Sequence, residues 1–439
     1  MKTEVKKEIM DYSKFEQNEL INMLNEERKA FKRLQKADMS VDMTRGRPET
    51  KQLDIAMPML SSAGEYDYTA DGIDYRNYGV LQGIKPAREL IADLFDCKTE
   101  EVIVADGSSL DLMYTVLQFA MQFGVLGSTP WNQLKKVKFI CLTPGYDRHF
   151  AICERFGIEM IGVRLKDDGP DMDIIESLVR DDDSVKGIWC VPKYSNPSGV
   201  TYSDKAVERL ATMKTAAKDF RIFWDNAYIA HDLYEKGDKL KNIFDVARKA
   251  GTLDRVYAFT STSKITFAGS GLAAFASSVD NINAITNELF FKTIGPNKIN
   301  QVMHVNFLKD TDNIKEIMKM HASILRPKFE LFEEKMSKEF EGDSHIHWSK
   351  PNGGYFISLD VKNCAKRIVQ LASEAGVKLT PAGSSFPYKI DDLDENIRIA
   401  PSVPTLEEMD HAVDVIISAV KQARMERVLL KKYGIKEEI

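Results

Sequence analysis

Ser261-Thr262-Ser263-Lys264 follows the apolar run Val256-Tyr257-Ala258-Phe259 and precedes Phe267-Ala268-Gly269-Ser270-Gly271. A run rich in β-branched and aromatic residues and closed by hydroxyls predicts a buried strand that ends at a polar site. The strand delivers Lys264 to a pocket. An amine fixed at a strand end among hydroxyl donors and glycines suits a lysine that forms an imine beside a loop that binds phosphate. Alone, such a string is more often a surface turn, so the motifs upstream decide its meaning.

Working back from Lys264, the same arrangement recurs. Arg221 to Trp224 reads as a strand running into Asp225-Asn226-Ala227-Tyr228, and Gly187 to Val191 as one running into Pro192-Lys193-Tyr194-Ser195-Asn196-Pro197-Ser198-Gly199. Met160 to Leu165 is a further strand, and Val137 to Leu142 leads into Thr143-Pro144-Gly145-Tyr146-Asp147-Arg148-His149. Glu101 to Val104 precedes Asp106-Gly107-Ser108-Ser109 and an apolar helix from Leu110 to Phe123. A strand, a Gly-Ser-Ser turn and a helix N-terminus make an anion site, because unpaired N–H groups and the positive end of the helix dipole face the same point. Strands separated by helices imply an α/β fold with a largely parallel sheet, whose ligand sits beyond the strands' carboxyl ends. Nearly every polar motif lies at such an end.

Outside this block the pattern changes. Residues from about Ser13 to Leu34 carry Phe15, Leu20, Ile21, Leu24 and Phe31 at helical spacing, and Asp42 to Pro48 is an irregular segment with two arginines. After about Thr311 come a long amphipathic helix, Ile314 to Glu341, the turn Pro351 to Gly354, a strand Tyr355 to Leu359, and two more helices around a short strand at Ile397-Arg398-Ile399. The organisation expected is a large domain over 51–310 and a smaller α+β domain over 311–439, to which the N-terminal segment 1–50 contributes.

The 439 residues carry a formal net charge of −6, which argues against nucleic acid as a partner, since phosphate backbones are met by basic stripes. Five cysteines without CxxC spacing suggest thiols in a reducing compartment, and no metal ligands are assigned. The charged start Met1-Lys2-Thr3-Glu4-Val5 lacks the apolar core of a signal peptide, and no apolar run reaches the ~18 residues of a membrane span. A cytoplasmic protein is expected.

In order and spacing, these motifs resemble the fold type I pyridoxal-phosphate aminotransferases, and within them a divergent aspartate aminotransferase-like subgroup. The Asn-Pro-x-Gly, Asp-x-x-Tyr and Ser-x-Ser-Lys trio carries most of the likeness. The resemblance implies a mostly parallel seven-stranded sheet with helices on both faces, and pyridoxal 5'-phosphate as cofactor. It makes Lys264 the Schiff-base lysine, Asp225 the partner of the pyridinium nitrogen, and Asn196 and Tyr228 the hydrogen-bonding groups on the ring's phenolic oxygen. Tyr146 would stack on the ring and His149 would hold Asp225 in place. Gly107, Ser108, Ser109, Ser261 and Ser263 would bind the phosphate, joined across a homodimer interface by Tyr78 and by Thr293. Arg398 would take the substrate's α-carboxylate, with Gly46 and Asn196 beside the substrate.

One position departs from the family. The usual pattern has a phosphate-binding arginine eight residues after the lysine, where this chain has Leu272. The missing charged contact is worth ~1.5–3 kcal/mol, so Ser270, backbone amides or another cation would have to compensate. A dicarboxylate substrate needs a second cation, and Arg45, Arg47, Arg76, Arg148 and Lys292 lie near the site loops. The resemblance implies ping-pong transfer of an amino group, from L-aspartate to 2-oxoglutarate in the subgroup's manner. An alanine or aromatic aminotransferase, a C–S lyase, and a non-catalytic sensor of cofactor remain alternatives.

Overall fold

The computed structural model describes residues 10–69 and 71–435; the charged Met1–Val5 stretch lies outside them. The strands, in chain order, are β1 (Val41–Asp42), β2 (Val102–Asp106), β3 (Lys138–Thr143), β4 (Glu159–Lys166), β5 (Gly169–Pro170), β6 (Val185–Cys190), β7 (Arg221–Asp225), β8 (Val256–Ser261) and β9 (Leu272–Ala276). They are followed by β10 (Ile346–Trp348), β11 (Ile357–Val361), β12 (Val377–Lys378) and β13 (Asn396–Ile399). The main sheet has the order β2-β9-β8-β7-β6-β3-β4-β5. Strands β8, β7, β6, β3 and β4 pair parallel, while β9 runs antiparallel between β2 and β8. The seven strands implied by the resemblance are there, with the two-residue β5 added as an antiparallel edge to β4.

The sheet holds because both faces are apolar, the mark of a parallel sheet covered by helices. Side chains alternate at period two. Ile140, Ile188, Ile222, Trp224 and Ala258 enter one core with the helices Lys85–Phe95, Asp204–Thr212 and Ile243–Ala250. Phe139, Trp189, Phe223, Tyr257, Phe259 and Phe275 enter the other with Ser109–Phe123 and Asp147–Phe156. Fully burying a side chain such as Phe223 contributes ~1.5–3 kcal/mol. This second face is an aromatic ladder: Phe223 lies 5.4 Å from Phe139, 4.6 Å from Trp189 and 5.9 Å from Phe259.

A second body is built on β10, β11 and β13, all antiparallel. It packs against the helix Leu406–Tyr433 and the later half of the 30-residue helix Thr311–Phe340. The first half of that long helix sends Ile314, Ile317 and Met318 into a different cluster, with Leu90 and Ile265, the residue after Lys264. The N-terminal segment joins the second body through parallel pairing of β1 with β12 and through Leu20 and Leu24, which pack against Met425 and Leu429. Among the described residues no helix is long and apolar enough to cross a membrane.

Candidate active site

Because β2, β3, β6, β7 and β8 point the same way, their carboxyl ends release five loops along one edge. Those loops enclose a cavity of about 160 Å³ lined by Lys264, Asp225, Tyr228, Asn196, Tyr146, Ser108, Ser109, Ser261 and Ser263, together with Gly46 and Phe356. Each polar residue comes from a different point in the sequence and is brought in by the strand before it.

Asp225 ends β7 and is buried. Its Oδ2 accepts from His149 Nε2 at 3.0 Å. The His149 ring is fixed by stacking on Trp189, with centroids 4.3 Å apart and planes at 10°. The other carboxylate oxygen, Oδ1, has no hydrogen-bond partner, and neither has Asn196 Oδ1 or Ser263 Oγ. An orphaned buried polar atom costs ~1–3 kcal/mol, so three in one cavity mark a place for a polar ligand.

Lys264 is partly open to the cavity, its amine 5.2 Å from the centre of the Tyr228 ring and 6.0 Å from that of Tyr355. Burial lowers its pKa below the ordinary lysine value, and Asp225 pulls the other way. The phenol of Tyr228 is pushed well above its usual value, first by burial; that of Tyr146 is pushed up to about 12 by burial and by Asp225.

Behind Lys264 lies a polar layer that the sequence did not announce. Gln52 Nε2 donates to Tyr355 Oη at 3.0 Å and lies 3.0 Å from His321 Nδ1, while His321 Nε2 donates to the Ile265 carbonyl at 3.1 Å. His231 stands edge-on to both Tyr228 and Tyr355, with its two ring nitrogens unpartnered.

At the β2 end, Gly107 takes φ +82°, which a residue with a Cβ rarely adopts, and its N–H donates to the Gly271 carbonyl at 3.0 Å. The turn thus leans on the loop after Lys264. Ser108 stands at the N-cap of Ser109–Phe123 but its side chain does not cap the helix. Hydroxyls and first-turn N–H groups are left facing the cavity, a ready anion cradle.

Leu272 opens β9, is fully buried in the core, and its N–H donates to Thr262 Oγ1 at 2.9 Å. Its side chain packs in the core and is not part of the cavity wall. Ser270, offered as a substitute, gives its hydroxyl to Asn300 Oδ1 at 3.1 Å.

Arg398 lies in β13, buried, beside this cavity but not in its wall. Its guanidinium sits 5.1 Å over the Phe356 ring. Gly46 is needed at the same wall, since a Cβ there would come within 2.7 Å of Phe356 Cζ. Arg398 Nη1 donates to Asp147 Oδ1 at 2.7 Å, a partner 251 residues away for which no local signal exists. Tyr78 and Thr293 do not line the cavity of their own chain. Tyr78 is 80% exposed, and Thr293 opens onto a surface groove with Phe290 and Ile294.

Of the five candidate cations, Arg47 pairs with Asp42, Arg76 with Asp74, and Lys292 donates to Thr115 Oγ1. Arg45 and Arg148 are exposed, without an ion pair among the described residues, and flank the cavity residues Gly46 and Tyr146. Among the described residues no cluster of three or more His, Cys, Asp or Glu is arranged to hold a metal ion.

Comparison with known proteins points the same way. The aspartate amino-transferase family model matches residues 15–432. A protein named aspartate aminotransferase from Corynebacterium glutamicum is 43% identical over 412 residues, 93% of this chain and 95% of its own length. The crystal structure of an aspartate transaminase from the same organism superposes with a TM-score of 0.92 at 41% identity, covering 95% of this chain and 99% of that one. An α-aminoadipate aminotransferase from Thermus thermophilus, complexed with N-(5'-phosphopyridoxyl)-L-leucine, shares the fold with a TM-score of 0.70 at 18% identity, over 92% of this chain and 95% of that one.

Proposed function

The chain belongs to the aspartate aminotransferase family and is an aminotransferase; from that premise we propose that it uses pyridoxal 5'-phosphate to move an amino group from L-aspartate to 2-oxoglutarate. The observation that carries the reading is the cavity itself, in which Lys264, Asp225, Asn196, Tyr228 and four serines converge around three unpartnered buried polar atoms.

The residues fit the cofactor. Asp225 Oδ1 is free to accept from a ring nitrogen while His149 holds Oδ2. Asn196 and Tyr228 would offer donors to a phenolic oxygen, and Tyr146 would cover a ring face. Gly107, Ser108, Ser109, Ser261 and Ser263 supply the phosphate cradle, without an arginine at Leu272. When bound, the cofactor supplies an aldehyde for amines and a ring that draws in the electron pair left at the substrate's Cα.

Lys264 is the amine that would hold the cofactor's aldehyde, and its free amine would be the base at the substrate's Cα. Its burial keeps a larger share of it neutral and basic near neutral pH than an exposed lysine would have. Arg398 takes the α-carboxylate, and the unpaired Arg45 and Arg148 are the cations available to the distal one.

Tyr78 and Thr293, remote from the cavity of their own chain, serve the phosphate of a second copy in a homodimer. The exposed Phe290, Phe291 and Ile294 beside Thr293 support such an interface. The division into 51–310 and 311–439 with 1–50 is supported by the pairing of β1 with β12. A cytoplasmic site agrees with five free thiols.

Absorbance spectroscopy tests the reading. The purified protein should absorb near ~420 nm, shift toward ~330 nm with L-aspartate and return with 2-oxoglutarate. No band after cofactor is supplied would remove the cofactor; a band indifferent to aspartate would remove the substrate alone.

A further inference from the structure

The Arg398 guanidinium does not stand open. Its Nη1 donates to Asp147 Oδ1 at 2.7 Å, its Nε to Thr380 Oγ1 at 3.3 Å and its Nη2 to the Thr44 carbonyl at 3.4 Å. Its face rests on Phe356. Two long bonds to neutral oxygens and a ring fix the plane of the arginine without help from Asp147. The carboxylate therefore answers a different need, which is charge. A buried guanidinium with no counter-ion is strongly destabilising, so a site waiting for an anionic ligand needs one in the meantime.

The two partners are unequal. The Arg398 side chain is 5% exposed and the Asp147 side chain 35%. The arginine is anchored and the carboxylate is the part with room to leave. Asp147 is also the first residue of the helix Asp147–Phe156, directly after Tyr146 of the cavity wall. Away from Arg398 it keeps water and the positive end of that helix, so its release is not costly.

We propose that Asp147 is a resident stand-in for the substrate's carboxylate, holding Arg398 until an incoming carboxylate displaces it. This rests on the reading of Arg398 as the substrate's carboxylate fork. The exchange replaces one carboxylate by another, so the buried arginine stands bare only in the minor open form. It also lowers apparent affinity by the fraction of molecules in the latched form, and it makes entry selective for ligands that bring their own carboxylate. A latch populated about ten to one over the open form weakens apparent binding about ten-fold.

Isothermal titration calorimetry of the holoenzyme with succinate and with propanoate, in the wild type, Asp147→Asn and Asp147→Ala, decides the matter. Asp147→Asn keeps shape and a hydrogen-bond acceptor while removing charge, so a folding defect in Asp147→Ala leaves the test intact. Both anions should bind the Asn variant about ten-fold more tightly than the wild type, and the KM for L-aspartate should fall. Weaker binding in the variants would overturn the latch and make Asp147 a residue that positions Arg398. Equal binding would reduce the pair to an ordinary bridge. If the enzyme uses an amino acid other than aspartate, propanoate still tightens. If aspartate shifts the absorbance as expected and neither anion tightens, the latch alone falls.

Discussion

Asp225 and Arg398 are both buried ionic groups on strands, Asp225 at the carboxyl end of β7 and Arg398 within β13, yet they are finished differently. Asp225 keeps one oxygen without a partner, and Asn196 and Ser263 next to it do the same. Arg398 has its guanidinium engaged by Asp147, Thr380 and Thr44. The sheet side of the cavity leaves buried polar atoms unpartnered, whereas the second body's side meets its charge from within the chain. On the proposed function, unpartnered polar atoms are tolerable where a tightly held cofactor would meet them. A substrate site, as proposed for Arg398, would empty at every turnover and would have to satisfy its charge in between.

The largest test of the sheet side is Lys264→Ala. It should lower transamination by about 10⁴-fold, or ~5.5 kcal/mol, and remove the ~420 nm band, in single-turnover measurements with L-aspartate. Next comes Leu272→Arg, the substitution that would restore the family's usual residue. Since Leu272 faces the core between β2 and β8, an unpaired charge there should cost ~3–5 kcal/mol of stability in urea melts and leave cofactor affinity no better. A gain in affinity would show that the cradle is within reach after all.

Asp225→Asn should reduce kcat about 10²–10³-fold, because it removes the charge and leaves the His149 contact. Arg398→Lys should act mainly on KM, with a loss of ~2 kcal/mol in kcat/KM from the missing fork. If the two variants shift the same kinetic constant, the contrast between the two sides fails.

The smallest effect is on stability against pH. With the folded pKa of Lys264 lowered, the unfolded chain binds more protons between that value and the ordinary one near ~10.5. Lys264 thus makes the cofactor-free protein gain stability as pH rises through that window, by at most ~1.4 kcal/mol per pH unit. Lys264→Met should flatten the slope measured by urea melts at several pH values.

The sheet side was legible in sequence because each element there announces itself locally. An apolar run closes on Gly-Ser-Ser, Asn-Pro-x-Gly, Asp-x-x-Tyr or Ser-x-Ser-Lys, and the shared strand direction does the rest. Strand β9 was not read from the sequence, although Leu272 to Ala276 is a short apolar run directly after Gly269-Ser270-Gly271, because its five residues carry no polar motif of their own. The second side was legible only in Arg398 and Gly46. Asp147 lies next to the expected Tyr146, but its partner is set by tertiary packing between β13 and a helix start 251 residues earlier. The layer of Gln52, His231, His321 and Tyr355 joins four distant segments and leaves no spacing to read. Trp189 could have been found: it occupies the β6 position that alternation sends to the same face as Phe223, under Asp225 and its histidine.

That indole gives the protein a gauge of its own. Trp189 lies face to face with the imidazole that holds Asp225, and Trp224 directly precedes Asp225 in the chain. Trp224 points to the opposite face of the sheet, so whatever fills the space beside that carboxylate alters the surroundings of Trp189 in particular. Loading and emptying of the site can therefore be followed by intrinsic fluorescence, in real time and without a label.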